Sequence, residues 1–226
     1  MVAPLTEKRL QALELRKQGF SYSYIKEQLQ VSKSSLSLWL RGYPLSREQI
    51  NKLRANSEKR IERFRETWRI KTTTRRKAVY DHQKKLLLPL TKRELLIAGL
   101  FLYWGEGAKT TPFATSLSNT NPKVVKFFLY WLIKILKVPK DKITIRLHLY
   151  KDMDQKMEIA FWSKELRIPE GKFIKPYIKE TTLRGLTYKG IGHGTCNLIV
   201  NGRDLIEKIL MSIEVVSDEY VRRLRT

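Results

Sequence analysis

The segment Arg93-Glu94-Leu95-Leu96-Ile97-Ala98-Gly99-Leu100-Phe101-Leu102-Tyr103-Trp104-Gly105-Glu106-Gly107-Ala108-Lys109 opens as an apolar helix and stops abruptly. No charge interrupts it from Leu95 to Gly105, and then a lone carboxylate, Glu106, stands between two glycines. At helical spacing Ala98, Leu102 and Gly105 share one face. Small residues near both ends of a face let a second helix approach closely. The Gly-Glu-Gly end puts an acid where the chain can turn sharply. Helix C-termini favour cations, so an acid there calls for a positive neighbour, such as a metal ion.

Downstream the periodicity is that of an α/β (α+β) domain. Residues 113–119 alternate as a strand, and Pro122 starts a helix carrying Val124, Val125, Phe128, Leu129, Leu132, Ile135 and Leu136. Ile143, Ile145, Leu147 and Leu149 alternate with Thr144, Arg146, His148 and Tyr150, the pattern of a half-buried strand. Residues 154–166 read as a helix and 173–180 as a strand. That strand should send Ile174 and Ile178 one way and Lys175, Tyr177 and Lys179 the other. Residues 195–201 form a fourth strand, residues 204–213 a last helix, and the tail from Arg222 frays.

Three sets of residues together resemble the LAGLIDADG homing endonucleases. Ile97-Ala98-Gly99-Leu100-Phe101 followed by Gly105-Glu106-Gly107 resembles the helix that names that family. Leu117-Ser118-Asn119-Thr120-Asn121-Pro122 is similar to its strand-to-helix corner. Phe161-Trp162-Ser163 and Gly194-Thr195-Cys196 are similar to a small branch that bears a helix-turn-helix. The resemblance spans roughly residues 92–214. The interval from Gly99 to Gly107 is two residues longer than in the nine-letter motif, and the acid is Glu where Asp is usual. The resemblance implies a saddle-shaped sheet lying on double-stranded DNA, read by Arg146, His148, Lys175, Tyr177 and Lys179, with Lys109, Arg184 and Lys189 on phosphates. It implies Glu106 as catalytic metal ligand, with Mg2+ as the cofactor. One motif supplies one carboxylate where the family's chemistry uses two, so a homodimer through Ala98, Leu102 and Gly105 is implied. The family's strands come as paired hairpins; here a helix is expected between the third and fourth strands.

Residues 1–44 show a helix-turn-helix pattern. Thr6 can cap a first helix with Leu10, Leu13 and Leu15, stopped by Gly19. Ser21 or Ser23 can cap a second, with Tyr24, Ile25 and Leu29. Ser32 is a natural cap for a third, whose Leu36, Trp39 and Leu40 face inward. Lys33, Ser34, Ser35 and Ser37 are left outward, where a recognition helix meets base edges. The segment resembles the DNA-binding helices of resolvases and small repressors. Residues 45–91 form a basic helical connector, with an expected break near Thr72-Thr73-Thr74. Leu53, Ile61, Phe64 and Trp68 give it an intermittent apolar stripe. Arg75, Arg76 and Lys77 are candidate phosphate contacts on it. Residues 92–226 form the LAGLIDADG-like domain.

Charge separates the partner classes. Lys plus Arg number 45 against 22 acids, a net charge of +23. Residues 46–93 alone hold 16 basic and 5 acidic side chains, nearly half of that excess. Such an imbalance asks for a polyanion, nucleic acid first and an anionic membrane surface second. No apolar run reaches the ~18 residues of a membrane span, and the N-terminus lacks a signal-peptide apolar core. The expectation is a soluble intracellular protein, cytoplasmic or nucleoid-associated, without a small-molecule substrate. The single cysteine, Cys196, excludes an internal disulfide. His82, His148 and His193 are too scattered for a zinc site. Gly190-Ile191-Gly192-His193-Gly194 precedes a strand and so fails as a dinucleotide loop. Asp152 and Asp154 read as a solvated turn. Three functions remain open: a metal-dependent site-specific endonuclease, a regulator that binds DNA without cutting, and an RNA-binding maturase-like protein.

Overall fold

The computed structural model describes residues 3–53, 55–181 and 192–223. The chain divides into two units, Met1–Leu88 and Pro89–Thr226.

In the first unit, α1 (Ala3–Lys17), α2 (Tyr22–Leu29) and α3 (Lys33–Leu40) enclose a small core of Ala12, Tyr22, Ile25, Leu36 and Leu40. The first helix starts three residues before Thr6, and Gly19 ends it with φ at +97°. Ser21 caps α2 by accepting from Tyr24 N at 3.1 Å, and Ser32 caps α3 by accepting from Ser35 N at 3.0 Å. Leu10 and Tyr24, expected inward, are exposed.

After Ser46, which closes a capping box with Gln49, come α4 (Arg47–Lys52) and α5 (Asn56–Leu87). The expected break near Thr72 is absent; the interruption lies before Asn56. Thr73 donates its hydroxyl to Arg69 O at 2.8 Å, which satisfies it within the helix. The start of α5 is bound to the three-helix head through two acids one turn apart. Ser21 Oγ donates to Glu58. Glu62 receives both guanidinium nitrogens of Arg16, at 2.8 and 3.3 Å, and Arg65 Nη1 at 2.7 Å. Arg16 and Glu62 are each 3% exposed, and Arg16 also donates to Tyr43 O and Phe20 O at 3.0 Å. Nearly every donor of this buried guanidinium therefore has an acceptor, the condition under which a buried pair is tolerable.

The second unit is a mixed α/β layer pair. It runs α6 (Lys92–Glu106), β1 (Ala114–Asn119), α7 (Pro122–Tyr130) with a π-turn at Trp131–Ile135, β2 (Ile143–Tyr150), α8 (Gln155–Leu166), β3 (Phe173–Lys179), β4 (Thr195–Asn201) and α9 (Arg203–Arg223). The sheet order is β1-β4-β2-β3. β4 is antiparallel to β1 and β2, and β3 is parallel to β2. The interposed helix is thus α8, between the second and third strands, and it supplies the crossover that a parallel pair requires. Paired hairpins are not the arrangement.

One face of the sheet is buried. Leu117, Ile143, Ile145, Leu147, Leu149, Cys196, Leu198 and Val200 share a core with Leu100 and Tyr103 of α6, Val125 and Phe128 of α7, Trp162 of α8 and Ile206, Ile209 and Ile213 of α9. The other face keeps Ser116, Ser118, Thr144, Arg146, His148, Tyr150, Thr195 and Asn197 half-buried or exposed. In β3 the expected alternation is corrected. The β2/β3 register slips between Arg146 and His148, so Phe173 and Ile178 pack on the core while Ile174 pairs beside Arg146. Pro176 has no N–H for the ladder, which accounts for the irregularity there. The last helix runs ten residues beyond Ile213, with Arg223 Nη2 donating to Glu219 at 2.8 Å and no glycine or proline to stop it. Among the described residues no helix is long and apolar enough to cross a membrane.

The Arg16–Glu62 pair gives a direct test of the first unit. Glu62→Ala leaves a buried guanidinium without its counter-charge and should cost roughly 3–5 kcal/mol. Replacing both partners, as Arg16→Met with Glu62→Leu, should recover most of that. Thermal unfolding followed by circular dichroism reads it; a Glu62→Ala protein that melts like wild type contradicts the role given to the pair.

Candidate nucleic-acid interface

The end of α6 is set by two close approaches. A Cβ on Gly99 would lie 2.0 Å from Trp131 Nε1, so only glycine fits under that indole, whose N–H donates to Leu96 O at 3.3 Å. A Cβ on Gly107 would meet the Tyr103 ring at 2.5 Å, and Tyr103 donates its hydroxyl to Ala108 O at 2.5 Å. The Tyr103 hydroxyl titrates above its ordinary range because it is buried, which keeps it a donor. Gly107 is extended, with φ −77° and ψ 148°, so the chain leaves the helix without the expected sharp turn and pairs antiparallel with Leu117 before turning back into β1. Ala108 N donates to Ser116 O at 2.9 Å, tying the helix end to the strand.

Glu106 is therefore exposed at the last turn, where Asn119 Nδ2 donates to its Oε2 at 3.2 Å. Asn119 in turn accepts from Asn121 N at 2.8 Å, so the strand-to-helix corner before Pro122 holds the acid's partner. Lys109 Nζ donates to Gly107 O at 3.0 Å and supplies the cation that a helix C-terminus favours. Among the described residues no group of three or more His, Cys, Asp or Glu side chains is placed to hold a metal. The ligand oxygens at this point are those of the Glu106 carboxylate, hard donors of the kind magnesium takes when water or phosphate completes the shell, while Asn119 turns its amide nitrogen to the acid and spends its oxygen on Asn121 N.

The face beside Glu106 is apolar and uncovered. Ile97, Phe101 and Trp104 are 36%, 48% and 43% exposed, and a Cβ on Gly105 would meet nothing within 4 Å. Ala98 and Leu102 are half-buried at its margin, and Leu102 packs partly on the unit's own core. The outward face is thus turned toward Ile97, Phe101 and Trp104, which the small-residue argument missed. Their spacing of four and three residues was the available signal.

Across the open sheet face, register sets Ser118, Asn197, Arg146 and Ile174 in one row and Thr195, His148 and Tyr177 in the next. His148 and Tyr177 meet edge to face at 5.5 Å, and Lys179 Nζ lies 5.0 Å over the Tyr150 ring. Burial, then Lys179 and Arg146, hold the His148 imidazole below its usual pKa. Lys175 is exposed in the irregular part of β3. Arg184 and Lys189 lie outside the described residues, as do Gly190 and Ile191 of the glycine-rich run.

In the first unit, Lys33, Ser34 and Ser37 are exposed on α3, while Ser35 is half-buried and bonded to Ser32 at 2.9 Å. Arg75, Arg76 and Lys77 are exposed on α5. Asp154 caps α8, accepting from Lys156 N and Met157 N. His193 stacks on Phe161 and meets Glu158 at 2.8 Å, with no second histidine in that contact. No family model, curated protein or solved structure matches the chain.

His148 offers a probe of the sheet face. Its folded pKa lies below the ordinary 6.5, so the stability it contributes is present above that pH. It is lost as pH falls from there through the folded value, because the unfolded chain binds the proton first. Imidazole NMR resonances should titrate below 6.5 in the free protein. With duplex DNA bound, phosphates offset the charges of Lys179 and Arg146, and the midpoint should rise. A midpoint unmoved by saturating duplex would place His148 away from the bound strand.

Proposed function

We propose that the chain is a double-stranded DNA-binding protein of LAGLIDADG-like architecture that works as a homodimer and cleaves phosphodiester bonds with magnesium. The observation that carries the reading is the end of α6: an exposed carboxylate directly beside an uncovered apolar helix face. A second copy meeting that face would bury Ile97, Phe101 and Trp104 and bring a second Glu106 close. Two like charges repel at such an axis, and a divalent cation relieves the repulsion. When bound there, magnesium would polarise a phosphate or activate water. The chain's own residues would do the rest. Glu106 of each copy holds the cation, Asn119 orients the carboxylate, and Lys109 neutralises charge at the helix end.

The polar sheet face supplies the reading surface, with Arg146, His148, Tyr177 and Lys179 toward base edges and phosphates. The three N-terminal helices act as a helix-turn-helix, α3 presenting Lys33, Ser34 and Ser37 to the major groove. Exposed Arg75, Arg76 and Lys77 on α5 track phosphates. The strand order departs from the family's paired hairpins, so support comes from the helix end and the one-sided sheet and not from topology.

Glu106→Gln keeps size and removes charge. It should abolish magnesium-dependent nicking of a target selected from a random duplex library, while leaving duplex affinity within about threefold, since base and phosphate contacts lie elsewhere. Nicking by neither protein, with duplex binding intact, would point to a regulator that does not cut. Equal nicking by both would remove Glu106 as the metal ligand.

A further inference from the structure

The first unit carries two aromatic rings that neither its core nor the duplex-reading surfaces use. Phe64 and Trp68, one turn apart on α5, are 68% and 64% exposed, with ring planes 15° from parallel. They form one side of a cleft of about 360 Å³ whose apolar wall includes Leu40 and Leu45, and to which Arg41 and Arg69 also contribute. That size lies within the roughly 300–1,000 Å³ of small-ligand sites. The two acids on the cleft are countered: Glu62 by Arg16 and Arg65, and Glu66 by Arg47, whose Nε lies 3.8 Å away.

An apolar cleft walled by aromatic rings and bordered by guanidinium groups fits a flat heteroaromatic ring that carries an anion. We propose that this cleft binds an unpaired nucleotide of a nucleic-acid strand, its base stacked on Trp68 and Phe64 and its phosphate on Arg41 and Arg69. The choice of a strand over a free nucleotide rests on the rest of α5. Lys71, Arg75, Arg76 and Lys77 continue exposed along the same helix and can hold the flanking phosphates. The base must be unpaired, because in a duplex both of its faces are already stacked. Ser37 of α3 also lines the cleft, so a nucleotide seated there would lie next to the helix assigned to groove reading. The site would let the protein hold a frayed, gapped or displaced strand beside the duplex it reads. The proposal goes beyond duplex binding and does not need Glu106.

The test uses the full chain with two labelled probes of about 20 residues in each strand, an oligothymidylate and a blunt duplex, followed by fluorescence anisotropy. Trp68→Ala and Trp68→Leu should each weaken oligothymidylate binding by roughly 5- to 150-fold, the scale of losing one stacking partner. Trp68→Phe should bind near wild type, and duplex affinity should not change in any of the three. Trp68→Leu binding like wild type would show an apolar contact without stacking and overturn the proposal. Parallel loss on both probes would do the same, by reducing the effect to general charge or fold. Displacement of oligothymidylate by micromolar thymidine monophosphate would also overturn it, because the site would then belong to a free nucleotide. Failure of the wild-type protein to bind the duplex would count against the duplex reading alone.

Discussion

The contact on which the second unit depends is the seating of Gly99 under the Trp131 indole. A Cβ there would lie 2.0 Å from the ring nitrogen, so the close approach of α6 to the π-turn requires glycine at this position. Trp131 is held there from both sides. Phe128 stacks at 5.8 Å, and the indole N–H is spent on Leu96 O. A π-turn inserts an extra residue into the helical path, and such turns recur at functional sites. Here it presents the indole to the glycine. Once that face is inward, geometry decides the rest. Leu100 and Tyr103 join the core, Gly107 passes under Tyr103 to pair with Leu117 of β1, and Glu106 is left at the surface with Asn119.

The two units solve opposite electrostatic problems. In the first, the chain buries one charge pair and surrounds it with acceptors, so the start of α5 is bound to the head. The rest of that helix, from about Arg69 onward, has almost no apolar surface buried within its unit. Helices in proteins draw most of their stability from packing an apolar face, which this stretch lacks, and neighbouring like charges such as Lys71 and Arg75 repel at i,i+4. Phosphates that neutralise those charges would favour the helical state, which couples local order to binding. In the second unit every helix lies on one side of the sheet. The open side can then carry the charges of Arg146 and Lys179 without the desolvation cost that full burial would impose, while the half-buried His148 is desolvated enough to favour its neutral form.

Much of this was legible before the structure. The strand over residues 143–150 alternates without exception and is buried as its pattern requires. Ser32 caps α3 as its place before an apolar run suggests, whereas Asp154, read as part of a solvated turn, caps α8, and Asn121 caps α7. What stayed hidden was non-local. Arg16 and Glu62 are 46 residues apart and look like two more charges in a charged chain. The apolar run of α6 is hydrophobic all round, so periodicity could not say which side is inward. Gly99 was read as part of a motif, whereas its work is a close approach to a tryptophan 32 positions later. In β3 the regular alternation of residues 174–179 concealed a register slip at a proline.

The central claim is that two copies of α6 meet along the face that ends in Glu106. Gly105 is exposed on that face with open space around its Cβ position, and Cys196 is fully buried with its thiol pushed far above the ordinary range by desolvation. Gly105→Cys therefore introduces one accessible thiol at the proposed axis. Under mild oxidation at low protein concentration, with duplex DNA present, the account predicts a disulfide-linked species of twice the chain's mass on a non-reducing gel. A protein that remains monomeric under those conditions, while the thiol still reacts with a small alkylating reagent, would contradict the account.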